Sequence, residues 1–298
     1  MQNNKQLKLL FIINPVAGGK NKQNWEAAIR EHFKSRPHSI EFFMLTGKDD
    51  KASIKHHLSS TKPDRVVGVG GDGTIKMIAE LLKETPIPLG IIPAGSANGM
   101  AKELNIPLDV NEALKIITDG TDQKIDLIKI NEEELCIHLS DIGMNATIVK
   151  EFESYKKRGM WSYGRSLFKV LFSKRKFRST IITDDKTIKR HAYMIVIANA
   201  KKYGMGAVIN PEGILTDSLF EVVIVRKLNL FAVLKGIFQA KSFNPKNIEV
   251  IQTKNLELRT QQKVHFQVDG EYLGKTANVH ARILPGIITL MVPKSNPS

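Results

Sequence analysis

Apolar runs alternate with amphipathic stretches through the first 120 residues of the chain. Four short apolar segments are typical of buried β-strands, and four further segments carry apolar residues at helical spacing. The predicted strands are residues 7–14, 40–45, 65–70 and 88–92, and the predicted helices are 24–34, 50–60, 74–83 and 96–104. Alternation of this kind predicts an α/β domain with a mainly parallel sheet and helices on both faces.

The pattern changes near residue 124, after which most apolar segments have the length and composition of strands. Strands are predicted at residues 124–130, 134–142, 192–200, 220–225, 255–260, 263–271 and 288–293, and helices at 161–174 and 230–239. We therefore predict two domains, residues 1–123 and residues 124–298, the second rich in β-structure. The extreme C-terminus is a candidate to pack back on the first domain.

Composition narrows the class of protein. The chain has 298 residues, of which 42% are hydrophobic, so it is long enough for two domains with cores of their own. Its single cysteine, Cys136, has no partner for an internal disulfide and is predicted to be a small buried residue in a reducing compartment. No run approaches the roughly 18 apolar residues of a membrane span, and the start lacks a signal-peptide core. These features predict a cytoplasmic protein.

The formal net charge is +14, which points to an anionic partner such as nucleic acid, a membrane surface or a phosphorylated ligand. Much of this charge is concentrated, because residues 154–183 contain nine basic residues and no acidic one. The basic residues of this stretch are Lys156, Lys157, Arg158, Arg165, Lys169, Lys174, Arg175, Lys176 and Arg178.

Glycine-rich loops follow three of the predicted strands: NPVAGGK (14–20), GGDGT (70–74) and PAGSANG (93–99). In an open α/β sheet, ligands bind beyond the carboxyl ends of the strands, where helix N-termini favour anions. Thr74, Ser96 and Asn98 add side chains that can bond phosphate or ribose oxygens. The loops match neither the P-loop nor the dinucleotide fingerprint. Together they predict a phosphate-binding surface of another kind.

Asp72 is the unexpected residue in the second loop, because a carboxylate would be repelled by a bare triphosphate. Mg²⁺ could bridge it to the phosphates, or it could accept a proton from an incoming hydroxyl, and both roles belong to phosphoryl transfer. The structural alternative is that Asp72 caps the helix that follows it.

The ordered set INPVAGG (13–19), GGDGTI (70–75) and IIPAGSANGMA (91–101) resembles the catalytic domain of diacylglycerol, sphingosine and ceramide kinases and of bacterial soluble lipid kinases. Residues 197–225 and FQVDGE (266–271) resemble the family's later blocks, so the resemblance runs from about residue 8 to residue 292. It implies an N-terminal α/β domain related to NAD kinases and a C-terminal β-sandwich. It also implies a phospholipid-metabolising kinase that transfers the γ-phosphate of ATP, with Mg²⁺, to a lipid hydroxyl.

The resemblance also implies roles for individual residues. Asp72, Asp269 and Glu271 would be catalytic, with one of the last two accepting the proton of the lipid hydroxyl. A structural Mg²⁺ would lie at Asp217, Leu219 and Glu221. The nucleotide would contact Asn14, Pro15, Ala17, Thr46, Gly70, Gly71, Gly73, Thr74, Ser96 and Asn98.

Three segments depart from the usual family pattern. Lys76 and Met77 stand where bacterial relatives have Asn and Glu, and Ser218 stands where the metal segment commonly has Gly. The third loop ends in Asn98-Gly99-Met100 where Asn-Asp-Phe is usual, which is closer to sphingosine and ceramide kinases. Asp72, Asp269 and Glu271 are all present, so we still expect an active kinase.

The resemblance suggests a function for the basic segment, residues 156–178, because an enzyme that acts on a membrane lipid must reach the bilayer. Trp161, Phe168, Leu171 and Phe172 would lie within an arc of ~100° on a helix. We expect this segment to contact an anionic membrane surface, which would make the protein peripherally membrane-associated. A homodimer is left open.

Two other functions are compatible with parts of the sequence. A kinase for NAD or another small molecule could use the same GGDG loop, although the basic segment speaks against it. A nonenzymatic module that binds anions or nucleic acid would suit the positive charge. No base-stacking pattern or helix-turn-helix signature is present, so we expect no nucleic-acid partner.

Overall fold

The computed structural model describes residues 6–18, 24–144, 146–147, 150, 176–203, 207–208, 210, 213–227 and 247–294. The chain divides into two compact units: Met1–Ile125 with Gly286–Ser298, and Asp126–Pro285. Within the described residues, no helix combines the length and the apolar character that crossing a bilayer requires.

The first unit is an α/β domain with a parallel sheet. Its strands are β1 (Lys8–Ile13), β2 (Ser39–Met44), β3 (Arg65–Gly70) and β4 (Leu89–Pro93), in the sheet order β4-β3-β1-β2. Its helices are α1 (Trp25–Phe33), α2 (Asp50–Thr61), α3 (Asp72–Leu82), α4 (Gly99–Glu103) and α5 (Val110–Asp119). Neighbouring strands among these four all run parallel. Strands β1, β3 and β4 are buried almost throughout, as expected for a sheet covered on both faces.

Helix α5 was missed in the sequence analysis, although its signals are present. Asp109 accepts hydrogen bonds from the backbone N–H groups of Asn111 and Glu112 at 2.9 and 3.0 Å, so it caps the helix start. The buried residues Val110, Ala113, Leu114 and Ile117 recur at helical spacing.

The second unit is rich in antiparallel β-structure. The remaining strands of the described residues are β5 (Thr121–Ile130), β6 (Glu134–Cys136), β7 (Leu139–Gly143), β8 (Phe177–Thr183), β9 (Thr187–Ala192), β10 (Met194–Ala198), β11 (Lys202–Tyr203), β12 (Ala207–Val208), β13 (Phe220–Val225), β14 (Ile248–Thr253), β15 (Asn255–Val268) and β16 (Glu271–Val292). The central sheet of this unit follows the order β14-β13-β10-β7-β15-β16, and a hairpin of β8 and β9 joins β15. Alternate residues of β10 and β13 enter two separate hydrophobic clusters, so these strands are buried on both faces.

The predicted fold class, an α/β domain followed by a β-sandwich domain, is confirmed. Strands β8, β9 and β14 were missed. Exposed polar residues alternate along β9, which has few apolar side chains to mark it as a strand.

Cys136 is fully buried, as predicted. The predicted helices at 161–174 and 230–239, and residues 156–175 of the basic segment with Trp161, Phe168, Leu171 and Phe172, lie outside the described residues.

Ser218 adopts a backbone conformation that favours glycine. Its φ is +62°, in the left-handed region, and its N–H donates to Asp126 Oδ2 at 2.7 Å. A side chain in this region costs roughly 1–3 kcal/mol, which would account physically for the Gly that the family resemblance implies at this position.

Replacing Ser218 with Gly is therefore expected to raise the free energy of unfolding by about 0.5–1 kcal/mol, because relief of strain exceeds the entropic cost of Gly. Urea unfolding of wild type and Ser218→Gly measures the difference. Ser179→Gly is the control: Ser179 lies in the extended strand β8 and donates to Arg190 O at 3.2 Å, so the same change should destabilise the protein there. A destabilised Ser218→Gly protein would contradict the strain argument.

Asp184 joins two turns of the second unit. Its carboxylate accepts hydrogen bonds from Lys254 N at 2.8 Å, Asn255 N at 3.0 Å, Asn255 Nδ2 at 2.8 Å and Thr253 Oγ1 at 2.9 Å. The Asn255 side chain, helped by these other donors, lowers the pKa of Asp184 to about 2, against an ordinary value of 3.8. The turn after β8 is thereby tied to the turn between β14 and β15.

Because the folded pKa lies below the ordinary one, Asp184 contributes stability that is present above pH 3.8 and is lost as the pH falls towards 2. We expect Asp184→Asn to lower the unfolding free energy at pH 6 by on the order of 1 kcal/mol, a figure reduced for the exposure of the group. Urea titrations at pH 6 and pH 2.5 should show this difference shrinking in acid. A difference of equal size at both pH values would show that the carboxylate charge is not involved.

Candidate active site

The three glycine-rich loops of the first unit interlock. Asn14, at the end of β1, donates from Nδ2 to Thr74 Oγ1 at 3.1 Å and from its backbone N–H to Val69 O at 2.9 Å. The N–H of Ala94, after β4, donates to Gly70 O at 2.9 Å. The loops after β1, β3 and β4 are thus brought together at the carboxyl edge of the sheet, where ligands bind in folds of this class.

Gly71 and Gly95 form the closest approach between the second and third loops. A Cβ at Gly95 would lie 2.4 Å from Gly71 Cα, and a Cβ at Gly71 would lie 3.2 Å from Gly95 Cα. Both contacts involve backbone atoms, which cannot rotate away. Gly95 is therefore required by the packing of the loops themselves.

Asp72 lies at the start of α3, but its carboxylate binds the N-terminus of another helix. Oδ2 accepts the N–H of Gly99 at 3.0 Å, and Oδ1 accepts the N–H of Met100 at 3.1 Å, both in the first turn of α4. A carboxylate has about four lone-pair directions, so acceptor capacity remains for a cation or water. Asp72 therefore fixes the third loop to the second. Lys76, one turn along α3, is buried.

Asn98 holds its own loop in shape. Its side chain accepts the N–H of Gly95 and donates to the carbonyl of Gly95, both at 2.8 Å, and its φ of +52° is one that Asn tolerates better than most residues. Ser96, two residues earlier, is exposed. The predicted ligand contacts therefore divide into residues that shape the loop and residues that face outwards.

Gly73, unlike Gly95, is not required by close packing against another described loop. It lies exposed in the first turn of α3, and its φ is not in the left-handed region. Apart from its own helix, a Cβ built on it would meet no atom of the described residues within 4 Å. Glycine at a helical position costs roughly 0.5–1 kcal/mol relative to alanine. Neither the backbone conformation of Gly73 nor its packing against the described residues accounts for that cost, so the open space beside Gly73 is the notable feature.

The remaining nucleotide candidates lie at the ends of β1 and β2. Pro15 is exposed and Ala17 is half-buried, in a turn where Asn14 Oδ1 accepts the N–H of Val16 at 3.1 Å. Thr46 is exposed after β2, and its hydroxyl lies 2.9 Å from Asp50 Oδ1. The Thr46 N–H holds the pKa of Asp50 below its usual value.

Asp269 lies in the turn between β15 and β16, and Glu271 is the first residue after that turn. Val268 pairs with Glu271, and Asp269 and Gly270 have φ values of +49° and +85°, the signature of a type I′ hairpin turn. The Asp269 carboxylate accepts N–H bonds from Ile137, His138 and Leu139 at 3.0, 2.9 and 3.2 Å. Glu271 is exposed. The structure therefore distinguishes an anchored Asp269 from an accessible Glu271.

The three candidate metal ligands have different surroundings. Asp217 is half-buried, and its Oδ1 accepts the N–H of Leu219 at 3.0 Å. Glu221 is fully buried on β13, where its carboxylate contacts Asn210 Nδ2 and accepts from Gln252 Nε2 at 3.1 Å. Across the part of the chain that the structure describes, no three acidic, His or Cys side chains are grouped to hold a metal. Glu221 is thus enclosed by amide partners, whereas Asp217 and the Leu219 carbonyl offer the kind of oxygen that Mg²⁺ prefers. The metal-binding role of all three residues stays a prediction.

Two polar residues beneath the Asp269 turn were missed in the sequence analysis. Asp141 and Gln267 are both fully buried and lie opposite each other on β7 and β15. The available signal was a polar residue inside an apolar strand, in SDI for Asp141 and in FQV for Gln267.

Two family models match the chain. The diacylglycerol kinase catalytic domain matches residues 8–130, and the YegS C-terminal NAD kinase beta sandwich-like domain matches residues 140–292. The two matches correspond to the two halves in which the candidate residues lie.

Similar proteins agree with this assignment. A probable lipid kinase YegS-like of Yersinia pestis is 30% identical over 78% of this chain and 80% of its own length. An uncharacterized protein of Synechocystis is 27% identical over 96% of this chain and 70% of its own length. Two Bacillus anthracis crystal structures, titled as a diacylglycerol kinase and a putative diacylglycerol kinase, share the fold, with TM-scores of 0.76 and 0.79. They are 20% and 21% identical over 97% and 96% of this chain, and over 98% and 97% of their own chains. The chain belongs to the diacylglycerol kinase catalytic-domain family, as a relative of the YegS-like lipid kinases.

Proposed function

We propose that the protein transfers the γ-phosphate of ATP to the hydroxyl group of a membrane lipid. Membership of a lipid kinase family supports the reaction class. The structural observation that carries the proposal is the interlocked surface of three loops at the carboxyl edge of the parallel sheet, with open space at Gly73.

In this proposal the ATP phosphates lie against Gly73 and the first turn of α3. The N-terminus of an 11-residue helix carries N–H groups and a partial positive charge that favour an anion. An added side chain at Gly73 would occupy the space that the phosphates need. This would account for a glycine that neither its own conformation nor packing against the described residues requires.

Mg²⁺ would enter the site with ATP and neutralise charge on the phosphate oxygens. Asp72 is suited to face the Mg²⁺-bound phosphates, since its two backbone contacts leave lone pairs available. Asp217 and the carbonyl of Leu219 would hold a structural Mg²⁺. Glu221 is left out of this set because it is enclosed by Asn210 and Gln252.

Glu271 is proposed as the general base. It would accept the proton of the lipid hydroxyl while that oxygen bonds to the γ-phosphorus and the bond from the γ-phosphorus to the bridging oxygen of ADP breaks. Asp269 is less suited, because three backbone N–H groups already stabilise its charged form. We therefore assign Asp269 to holding the turn and Glu271 to proton transfer.

Diacylglycerol is the first lipid to test, because the matching catalytic-domain model and the Bacillus structures carry that name. A sphingoid base is the next candidate.

The basic segment, residues 156–178, would bind the anionic membrane surface. Each basic residue near the headgroups would contribute about 1 kcal/mol to binding. The protein would then act as a peripheral membrane enzyme of the cytoplasm.

Gly73→Ala is expected to weaken ATP binding at least tenfold. The unfolding free energy should stay the same or rise by up to about 1 kcal/mol, because alanine is the better helix residue. Isothermal titration with MgATP and urea unfolding measure the two effects. Gly95→Ala is the matched comparison: its new Cβ would collide with the backbone of Gly71, so stability itself should fall. Unchanged ATP binding by a folded Gly73→Ala protein would remove Gly73 from the site.

Glu271→Gln is expected to lower kcat by roughly 10²–10⁴-fold with little change in the KM for ATP, since a general base contributes about this factor and does not bind nucleotide. The assay follows labelled γ-phosphate into diacylglycerol or a sphingoid base in mixed micelles, with NAD as a parallel acceptor. Labelling of NAD alone would replace the lipid proposal with an NAD kinase. No transfer to any acceptor would favour the nonenzymatic alternative.

A further inference from the structure

Gln267 connects the turn that carries Glu271 to the interior of the second unit. Its Oε1 accepts the N–H of Gly270 at 2.7 Å, and its Nε2 donates to Asp141 Oδ2. Asp141 Oδ1 in turn accepts the N–H of Ala146 at 2.8 Å. A continuous chain of hydrogen bonds therefore runs from Ala146 through two side chains to the residue before Glu271.

Both side chains are fully buried, so this chain of hydrogen bonds is shielded from bulk solvent. A two-residue Asp-Gly turn of type I′ forms without such support, because its conformation already matches the twist of the flanking strands. Buried charged and polar groups are costly, and apolar replacements of similar size are often at least as stable. The hairpin alone therefore does not account for a buried Asp and Gln at these positions.

The turn is held on two sides. On one side, Gln267 holds the Gly270 N–H. On the other, Asp269 binds the N–H groups of Ile137, His138 and Leu139, and its own N–H donates to Leu139 O at 2.9 Å. These contacts fix the peptide units on both sides of the turn tip, immediately before Glu271. Loop tips are normally mobile, whereas this tip is held by hydrogen bonds on both sides.

We propose that Asp141 and Gln267 are positioning residues for Glu271, an inference that rests on the proposed function. Their hydrogen-bond chain sets the position of the turn, and the turn sets where the Glu271 carboxylate meets the acceptor hydroxyl. Displacement of a catalytic group by ~1 Å can reduce a rate by about 10². Neither residue touches the reacting atoms, so their loss should lower kcat and leave nucleotide binding unchanged.

Asp141→Asn tests the inference with a change of nearly equal shape. The introduced amide oxygen can still accept from Ala146, but the introduced NH₂ group then faces the Nε2 of Gln267. The glutamine amide must rotate to present Oε1 to that NH₂ group, which turns its own NH₂ group towards the N–H of Gly270. Two donors then face each other, and the turn loses its inner anchor.

The double variant Asp141→Asn with Gln267→Glu restores the pattern. The amide introduced at position 141 donates to one oxygen of the carboxylate introduced at position 267, and the other oxygen accepts the Gly270 N–H. Total charge is conserved, and each of the three hydrogen bonds that link Ala146 to Gly270 again joins a donor to an acceptor. Ser140→Ala is the matched control. Ser140 Oγ lies in the same buried region and donates to the backbone carbonyl of Gln267 at 2.7 Å, but it takes no part in the hydrogen bonds that link Ala146, Asp141, Gln267 and Gly270.

We expect Asp141→Asn to lower kcat at least about tenfold with the KM for ATP within about twofold of wild type, and the double variant to recover most of that loss. Ser140→Ala should lose stability but keep kcat within about twofold. A wild-type kcat in folded Asp141→Asn, or a loss of kcat in Ser140→Ala as large as that in Asp141→Asn, would overturn the inference. The hydrogen bonds through Asp141 and Gln267 would then have a purely structural role.

Amide exchange at Gly270 provides a readout that does not depend on activity. Exchange should accelerate at least about tenfold in Asp141→Asn and return to the wild-type rate in the double variant. If wild type transfers no phosphate, the proposed function fails while this exchange result still reports on the anchor. If wild type is active and exchange at Gly270 does not change, the positioning inference alone fails.

Discussion

The contact between the Asp72 carboxylate and the N–H groups of Gly99 and Met100 is the constraint on which the candidate site depends. It fixes the loop after β4 to the helix that follows β3, while Asn14 fixes the loop after β1 to the same helix through Thr74. The close approach of Gly71 to the third loop completes the arrangement. An acidic residue in a glycine turn thereby has a structural role, because its carboxylate accepts two backbone N–H groups at the start of α4.

In the second unit, a turn rather than a set of loops is held in place by hydrogen bonds. Its turn at Asp269 and Gly270 is held by one anchored carboxylate and by a buried chain through Gln267 and Asp141. In both units a carboxylate that resembles a catalytic group proves to be held by backbone N–H donors. Among the three predicted catalytic residues, Glu271 is the one that lies exposed. A carboxylate that anchors a loop or turn through backbone N–H groups is therefore the feature that both units share.

Hydrophobic periodicity was sufficient to predict the elements whose burial is strong and regular. Strands β1, β3 and β4 are buried almost throughout and read as apolar runs, so they were found nearly at their true limits. Strand β9 was missed because its residues alternate between exposed and half-buried positions with little apolar content. The site could be predicted as a set of loops, but the partners of Asp72 lie 27 and 28 residues away in the sequence. No local pattern specifies such contacts, nor the pairing of Asp141 with Gln267 across two strands.

Hydrogen exchange of the backbone amides with and without a nonhydrolysable ATP analogue and Mg²⁺ tests the central claim most directly. The account predicts added protection in residues 14–18, 70–74 and 94–98 together, because the three loops form one surface. Strands β8 and β9 should not change. Protection confined to one loop, or located away from all three, would contradict the assignment of this interlocked surface as the nucleotide site.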